Sequence, residues 1–145
     1  MTSNDMIARG PAPPTSLPPL LLCIDDDEMV LGCVASVLEA NGYRTLSASC
    51  GLLGIQLFKR NAIDLVVVDH DMPEMNGCEV TEELRRLDPK VPIIMCSGSP
   101  ENSARAGLLV DAFIPKGTEF SFLLSAIGNL HPLEQQATTL TGDLR

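Results

Sequence analysis

Two acidic clusters in the sequence each follow a short apolar run. Leu20–Ile24 leads into Asp25, Asp26 and Asp27, and Leu65–Val68 leads into Asp69, His70 and Asp71. If the two runs are neighbouring strands, their terminal carboxylates converge, and like charges at that range resist joint ionisation. A hard divalent cation removes the conflict. Oxygen ligands from a few carboxylates, with some water retained, describe a Mg2+ site. Part of the cluster has a plainer explanation, since Asp26, Asp27 and Glu28 also suit the start of a helix, where acids complement the dipole. Asp69 does not, because a carboxylate straight after four aliphatic residues has no capping duty there.

Two other apolar runs end in complementary groups. Val91–Cys96 is followed by Ser97 and Gly98, and Ala112–Pro115 by Lys116 and Gly117. Taken singly, Ser97 reads equally well as the start of a turn, and Lys116 as a solvated cation. Taken together, the four run ends offer carboxylates, a hydroxyl and an ammonium. An ionised Asp69 is a competent nucleophile toward phosphorus. Phosphoryl transfer asks mainly for positioning and for charge on the equatorial oxygens to be stabilised. Mg2+, Lys116 and Ser97 meet that need, so no general base is required.

The elements that must hold these groups alternate. Strands are expected at Leu20–Ile24, Arg44–Ser47, Leu65–Val68, Val91–Cys96 and Ala112–Pro115. Between them lie amphipathic stretches. Glu28–Asn41 carries Val30, Val34, Val37 and Leu38 on one face, and about Cys50 to Asn61 turns Leu53, Leu57 and Phe58 inward behind a Ser49 cap. About Cys78 to Leu87 aligns Val80, Leu84 and Leu87; a short helix opens at Ser99-Pro100-Glu101; and Thr118 caps a last helix with Phe120, Leu123, Leu124 and Ile127. A (βα)5 alternation implies a doubly wound parallel α/β sheet. The first, third and fourth strands are continuously apolar, as central strands are. The second is weak, and the fifth contains Pro115, which belongs at an edge. The strand order is therefore 2-1-3-4-5, and ligands bind at the switch point between strands one and three.

A chain of 145 residues suits one domain, and 45% hydrophobic with 20% charged residues suits a globular one. A net charge of −9 disfavours unaided nucleic-acid binding. The five cysteines, Cys23, Cys33, Cys50, Cys78 and Cys96, are odd in number and lack CxxC spacing, so they read as buried free thiols in a reducing cytoplasm. No secretory signal and no bilayer-spanning stretch is visible. Residues 1–18 are rich in proline and read as a flexible tail, with a formal PxxP at Pro11 and Pro14; residues 131–145 read as a polar tail.

These residues resemble the receiver family of two-component signalling. The motifs are LLCIDDDE, VVVDHDMPEMNG, IIMCSG and AFIPKG, in order, within a receiver domain at about residues 19–130. The string from Asp69 through Met72, Pro73 and Met75 to Gly77 is the most specific of them. The resemblance implies a flavodoxin-like fold and assigns Asp69 as phosphoacceptor. It implies Asp26 as a direct Mg2+ ligand, Asp25 as a direct or water-mediated one, and the Asp71 backbone carbonyl as a further one. Lys116 and Ser97 would bind the phosphoryl group, Ser97 and Phe113 would carry a switch, and Asp71 and Ser99 would set the lifetime of the phosphoaspartate. The protein would be a phosphoacceptor that catalyses its own phosphorylation and dephosphorylation, rather than an enzyme with a turned-over substrate.

The implied partners are a sensor histidine kinase or histidine phosphotransfer protein and, since the chain shows no effector domain, a downstream protein target. Neither nucleic acid nor membrane is implied, and a homodimer is a possible state. The changing face would be formed by the helix after Ser99, strand five and the last helix. Phe120 and Leu108 lie near that face, though core packing explains each of them more simply. Three features depart from the family pattern: Gly117 stands where proline usually follows the lysine, Phe113 lacks a hydroxyl, and the span from Ser97 to Lys116 is short. Two rivals are weighed. Asp69-His70-Asp71 is a DxD, as in metal-dependent phosphatases, but that leaves Asp25-Asp26 and MPEMNG unexplained. A pseudo-receiver that binds partners without phosphorylation leaves the full set of acids, hydroxyl and lysine unexplained. His70 reads as an exposed loop residue rather than a phosphohistidine.

Overall fold

The structure is a computed structural model, and it describes residues 17–99, 101 and 106–133. In chain order the elements are β1 (Leu20–Ile24), α1 (Glu28–Ala40), β2 (Arg44–Ala48), α2 (Gly51–Arg60), β3 (Leu65–Asp69), α3 (Gly77–Leu87), β4 (Ile93–Ser97), β5 (Ala112–Pro115) and α4 (Phe120–Leu130). The five strands form one parallel sheet in the order β2-β1-β3-β4-β5. Both the strand order and the edge positions of β2 and β5 match the sequence expectation. The short helix expected to open at Ser99-Pro100-Glu101 falls largely outside the described residues, as do most of the two expected tails.

Alternation along each strand sends side chains to opposite faces, and each face has its own core. On one side Leu22, Ile24, Val66, Val68, Ile93 and Met95 meet α2 and α3. On the other, Leu21, Cys23, Leu65, Val67 and Ile94 meet α1 and α4 through Leu31, Leu38, Leu123 and Ile127. All five residues of β3 are buried. Its last residue is therefore held rigidly with the sheet. No helix among the described residues is long and apolar enough to cross a membrane.

Several inward faces differ from the sequence reading. In α1 the buried residues are Leu31 and Leu38, while Val30 is 40% exposed; so many apolar residues line this helix that its stripe is wider than the covered face. In α2 Ile55 is buried while Leu53 is 37% exposed, and Cys50, not Ser49, caps the helix, its Sγ accepting from Leu53 N at 3.5 Å. In α3 Val80 and Leu84 are fully buried but Leu87 is exposed, one turn beyond the sheet. Thr118 does not cap α4: its hydroxyl donates to the Pro115 carbonyl, and Glu119 is the N-cap, with no side-chain cap bond to the helix backbone. Leu108 and Phe120 are exposed, at 93% and 42%, so simple core packing does not account for either. None of the five cysteines is in a disulfide, but only Cys23 and Cys78 are buried outright, with Cys33 and Cys50 exposed on helix ends or outer faces.

Candidate functional site

The site lies at the carboxyl ends of β1, β3, β4 and β5. Parallel register sets it: Ile24 lies beside Val68, Asp69 beside Cys96, and Ser97 beside Pro115. The residues after these strand ends are therefore brought to one rim. The Lys116 N–H donates to the Ser97 carbonyl at 2.9 Å, which anchors the lysine over the sheet. Its Nζ then stands 2.7 Å from Asp69 Oδ1 and 3.8 Å from Asp71 Oδ2. Asp69 Oδ1 also accepts the Asp71 N–H at 3.2 Å. Its other oxygen, Oδ2, is buried and has no hydrogen-bond partner.

Carboxylate oxygens of Asp25, Asp26 and Asp69 lie within 4.8 Å of one another. Asp27 is committed elsewhere, since it caps α1 by accepting from Met29 N and Val30 N. The helix-start reading thus holds for Asp27 as the cap and for Glu28 in the first turn, and not for Asp26, which precedes the cap. Asp25 is turned back by the Asp27 N–H, which donates to its Oδ1 at 2.9 Å. The donor set is all oxygen and carries an orphaned buried carboxylate atom, which is the chemistry that suits a hard divalent cation.

The electrostatics carry the strain of this crowding. Burial, with the charge of Asp69 adding to it, pushes the Asp25 carboxyl up to about 6. Asp69 is raised as well, by burial, against the pull of its Lys116 bond. Burial alone would lower Lys116, but its bond to Asp69 and the charges of Asp69, Asp25 and Asp71 together outweigh that and raise it. Burial opposes ionisation of Asp71, yet the Gly98 N–H, the His70 ring and Lys116 together outweigh it and hold the carboxyl below the usual carboxylate range. Burial also pushes the Cys96 thiol up to about 12, so this neighbour of Asp69 stays protonated and is no nucleophile.

Ser97 is buried, and its Oγ accepts the Ser99 N–H at 3.1 Å. Phe113 pairs with Met95, two residues before Ser97, and so shares that face of the sheet, packed against the core on the α2 and α3 side. The Lys116–Gly117 bond is trans, and Gly117 takes φ +87°, a left-handed conformation that suits glycine. His70 is not the exposed loop residue expected: its side chain is only 12% exposed, and Nδ1 lies 3.2 Å from Asp71 Oδ1.

The return from β3 into α3 holds residues that motif matching alone did not explain. Asn76 and Glu79 form a capping box, each side chain bonded to the other's backbone N–H, and this starts α3. Gly77 sits so close to the end of β3 that a Cβ there would lie 2.7 Å from the Asp69 carbonyl oxygen and from His70 Cα. Only glycine lets the helix start approach that backbone. The N-x-x-E spacing was the available signal for the cap; the close approach had none. A cavity of about 440 Å3 runs from the acids down between α1 and α4, walled by Val30, Leu31, Ile114, Phe120 and Leu123. It too was not foreseen.

A parallel α/β sheet with three acids and a lysine gathered at its switch point defines a flavodoxin-like domain with an acidic pocket. The chain belongs to the response regulator receiver domain family, whose model matches residues 21–127. Over 115 residues it is 32% identical to the autoinducer 1 sensor kinase/phosphatase LuxN of Vibrio harveyi, covering 77% of this chain but only 13% of that protein. It is 29% identical to the chemotaxis protein CheY of Bacillus subtilis over 101 residues, 69% of this chain and 81% of that protein. Among solved structures, a CheY-like receiver domain protein from Methanospirillum hungatei superposes with a TM-score of 0.74 at 31% identity, covering 79% of this chain and 93% of that one.

Proposed function

We propose that the protein is a phosphorylation switch in which Asp69 accepts a phosphoryl group from a histidine kinase or histidine phosphotransfer protein. The observation that carries this reading is the buried Asp69 carboxylate, with Oδ1 held by Lys116 at 2.7 Å and Oδ2 unsatisfied. A carboxylate oxygen of Asp69 attacks phosphorus in line as the bond to the donor nitrogen breaks, and that nitrogen keeps the electron pair and is reprotonated from water. Lys116 binds a phosphoryl oxygen, and Ser97 turns its hydroxyl to the new group. Asp25, Asp26, Asp69 and the Asp71 backbone carbonyl are the residues that would hold Mg2+. When bound, Mg2+ neutralises charge on the phosphoryl oxygens and lets the three carboxylates ionise together. Asp71 and Ser99 flank the approach of water and set how long the acyl phosphate lasts.

The added charge biases a two-state equilibrium. Phe113 follows Ser97, and the face around the exposed Leu108, β5 and Phe120 changes its binding to a downstream protein. A cytoplasmic setting fits a donor of this kind. The test is mass analysis after incubation with acetyl phosphate and Mg2+. Wild type gains one phosphoryl mass and Asp69→Asn gains none. A wild-type protein that stays unmodified contradicts the reading and favours a partner-binding module that works without phosphorylation.

A further inference from the structure

We propose that His70 is a positioning residue: it fixes the Asp71 carboxylate across the mouth of the site, strapping the loop after β4 to the loop after β3 until a phosphoryl group arrives. The inference rests on Asp69 being the phosphoacceptor. Its basis is a chain of contacts between two segments far apart in sequence. In the tautomer protonated at Nδ1, the His70 ring donates to Asp71 Oδ1 at 3.2 Å. Asp71 Oδ2 in turn accepts the Gly98 N–H at 3.2 Å, a bond spanning 27 residues. Asp71 is 42% exposed and would otherwise exchange rotamers, while the His70 side chain, 12% exposed, is a fixed post. The strapped loop begins directly after Ser97, the last residue of β4, whose Oγ accepts the Ser99 N–H of that loop.

A phosphoryl group on Asp69 releases the strap by charge. Asp71 Oδ2 stands 3.8 Å from Lys116, which is bonded to Asp69. Phosphoryl oxygens compete for that ammonium and repel the Asp71 carboxylate. Once Asp71 leaves Gly98, the loop is free and the Ser97 hydroxyl turns inward. The strap therefore stabilises the unphosphorylated arrangement, and weakening it favours the other.

The test uses beryllofluoride with Mg2+ as the phosphoryl mimic, and amide hydrogen exchange at Gly98 as a readout that needs no ligand. In His70→Ala, Gly98 exchange rises about tenfold and beryllofluoride binds about tenfold more tightly, because the post that holds the strap is gone. His70→Asn, whose amide donates from nearly the same place as Nδ1, restores both values. In an Asp71→Ala background, His70→Ala adds nothing further. If His70→Ala folds poorly, Asp71→Ala supplies the Gly98 readout alone. Unchanged Gly98 exchange in these variants, or weaker beryllofluoride binding in His70→Ala with no rescue by asparagine, overturns the strap. Wild type failing to bind beryllofluoride overturns the phosphoacceptor reading instead, and the strap is still judged by Gly98 exchange.

Discussion

Aspartates stand at both ends of these strands, and they behave oppositely. At the amino-terminal rim, Asp64 Oδ2 accepts the Leu20 N–H and Asp111 Oδ2 accepts the Ile93 N–H, each at 2.8 or 2.9 Å. Asp111 is also bridged by Arg85, which donates further to the carbonyls of Leu109, Pro89 and Val91. At the carboxyl-terminal rim, Asp25, Asp26 and Asp69 crowd together, and Asp69 Oδ2 has no partner. Strand direction explains much of the difference. The starts of parallel strands offer N–H donors that satisfy a carboxylate, whereas the ends offer carbonyls, and the N–H groups of Asp27 and Asp71 in the turns beyond them satisfy only one oxygen each of Asp25 and Asp69. One rim is consequently a staple, and the other holds unspent electrostatic strain that a cation and a phosphoryl group relieve.

The sharpest way to break this contrast is to remove the cation that faces the strained rim. Lys116→Ala should slow phosphoryl uptake from acetyl phosphate about a hundredfold, as loss of one preorganised charge partner does. A time course of intact mass measures it, and a change under threefold would place the lysine outside the chemistry. The mirror experiment is Arg85→Ala. It strands Asp111 and several carbonyls, and should cost about 2 kcal/mol of stability in urea unfolding. Phosphoryl uptake should stay within about twofold of wild type, the signature of a staple with no part in the reaction.

The smallest expected effect concerns pH. Asp25 has a folded pKa of about 6 against an ordinary 3.8. The stability this group contributes is present below the unfolded value and is lost as pH rises through the folded one. Without Mg2+, the fold should therefore become more stable as pH falls from 7 toward 5. Mg2+ must displace the proton, so its apparent affinity should fall about tenfold per pH unit below about 6. Calorimetric titrations at two pH values read this, and a pH-independent affinity would mean that Asp25 does not meet the ion.

The sequence showed the strained rim more clearly than the staple. Asp25, Asp26, Asp69, Ser97 and Lys116 each follow an apolar run, and parallel topology then brings them together. Asp64 and Asp111 are the same residue type beside the same strands, and only three-dimensional placement reveals their N–H donors and Arg85. His70 was misread because its burial comes from how the return into α3 packs, a long-range effect that no local pattern records. The inward face of α1 was misread for a related reason: Val30 and Leu31 are both apolar, and helical periodicity does not say which of two adjacent residues the sheet covers.

The most direct measurement locates the phosphoryl group itself. After reaction with acetyl phosphate and Mg2+, borohydride reduction converts an aspartyl phosphate to homoserine, and peptide mass analysis reads its position. The account predicts homoserine at position 69 alone. Homoserine at Asp25, Asp26 or Asp71, or an alkali-stable, acid-labile phosphate on His70, would contradict it.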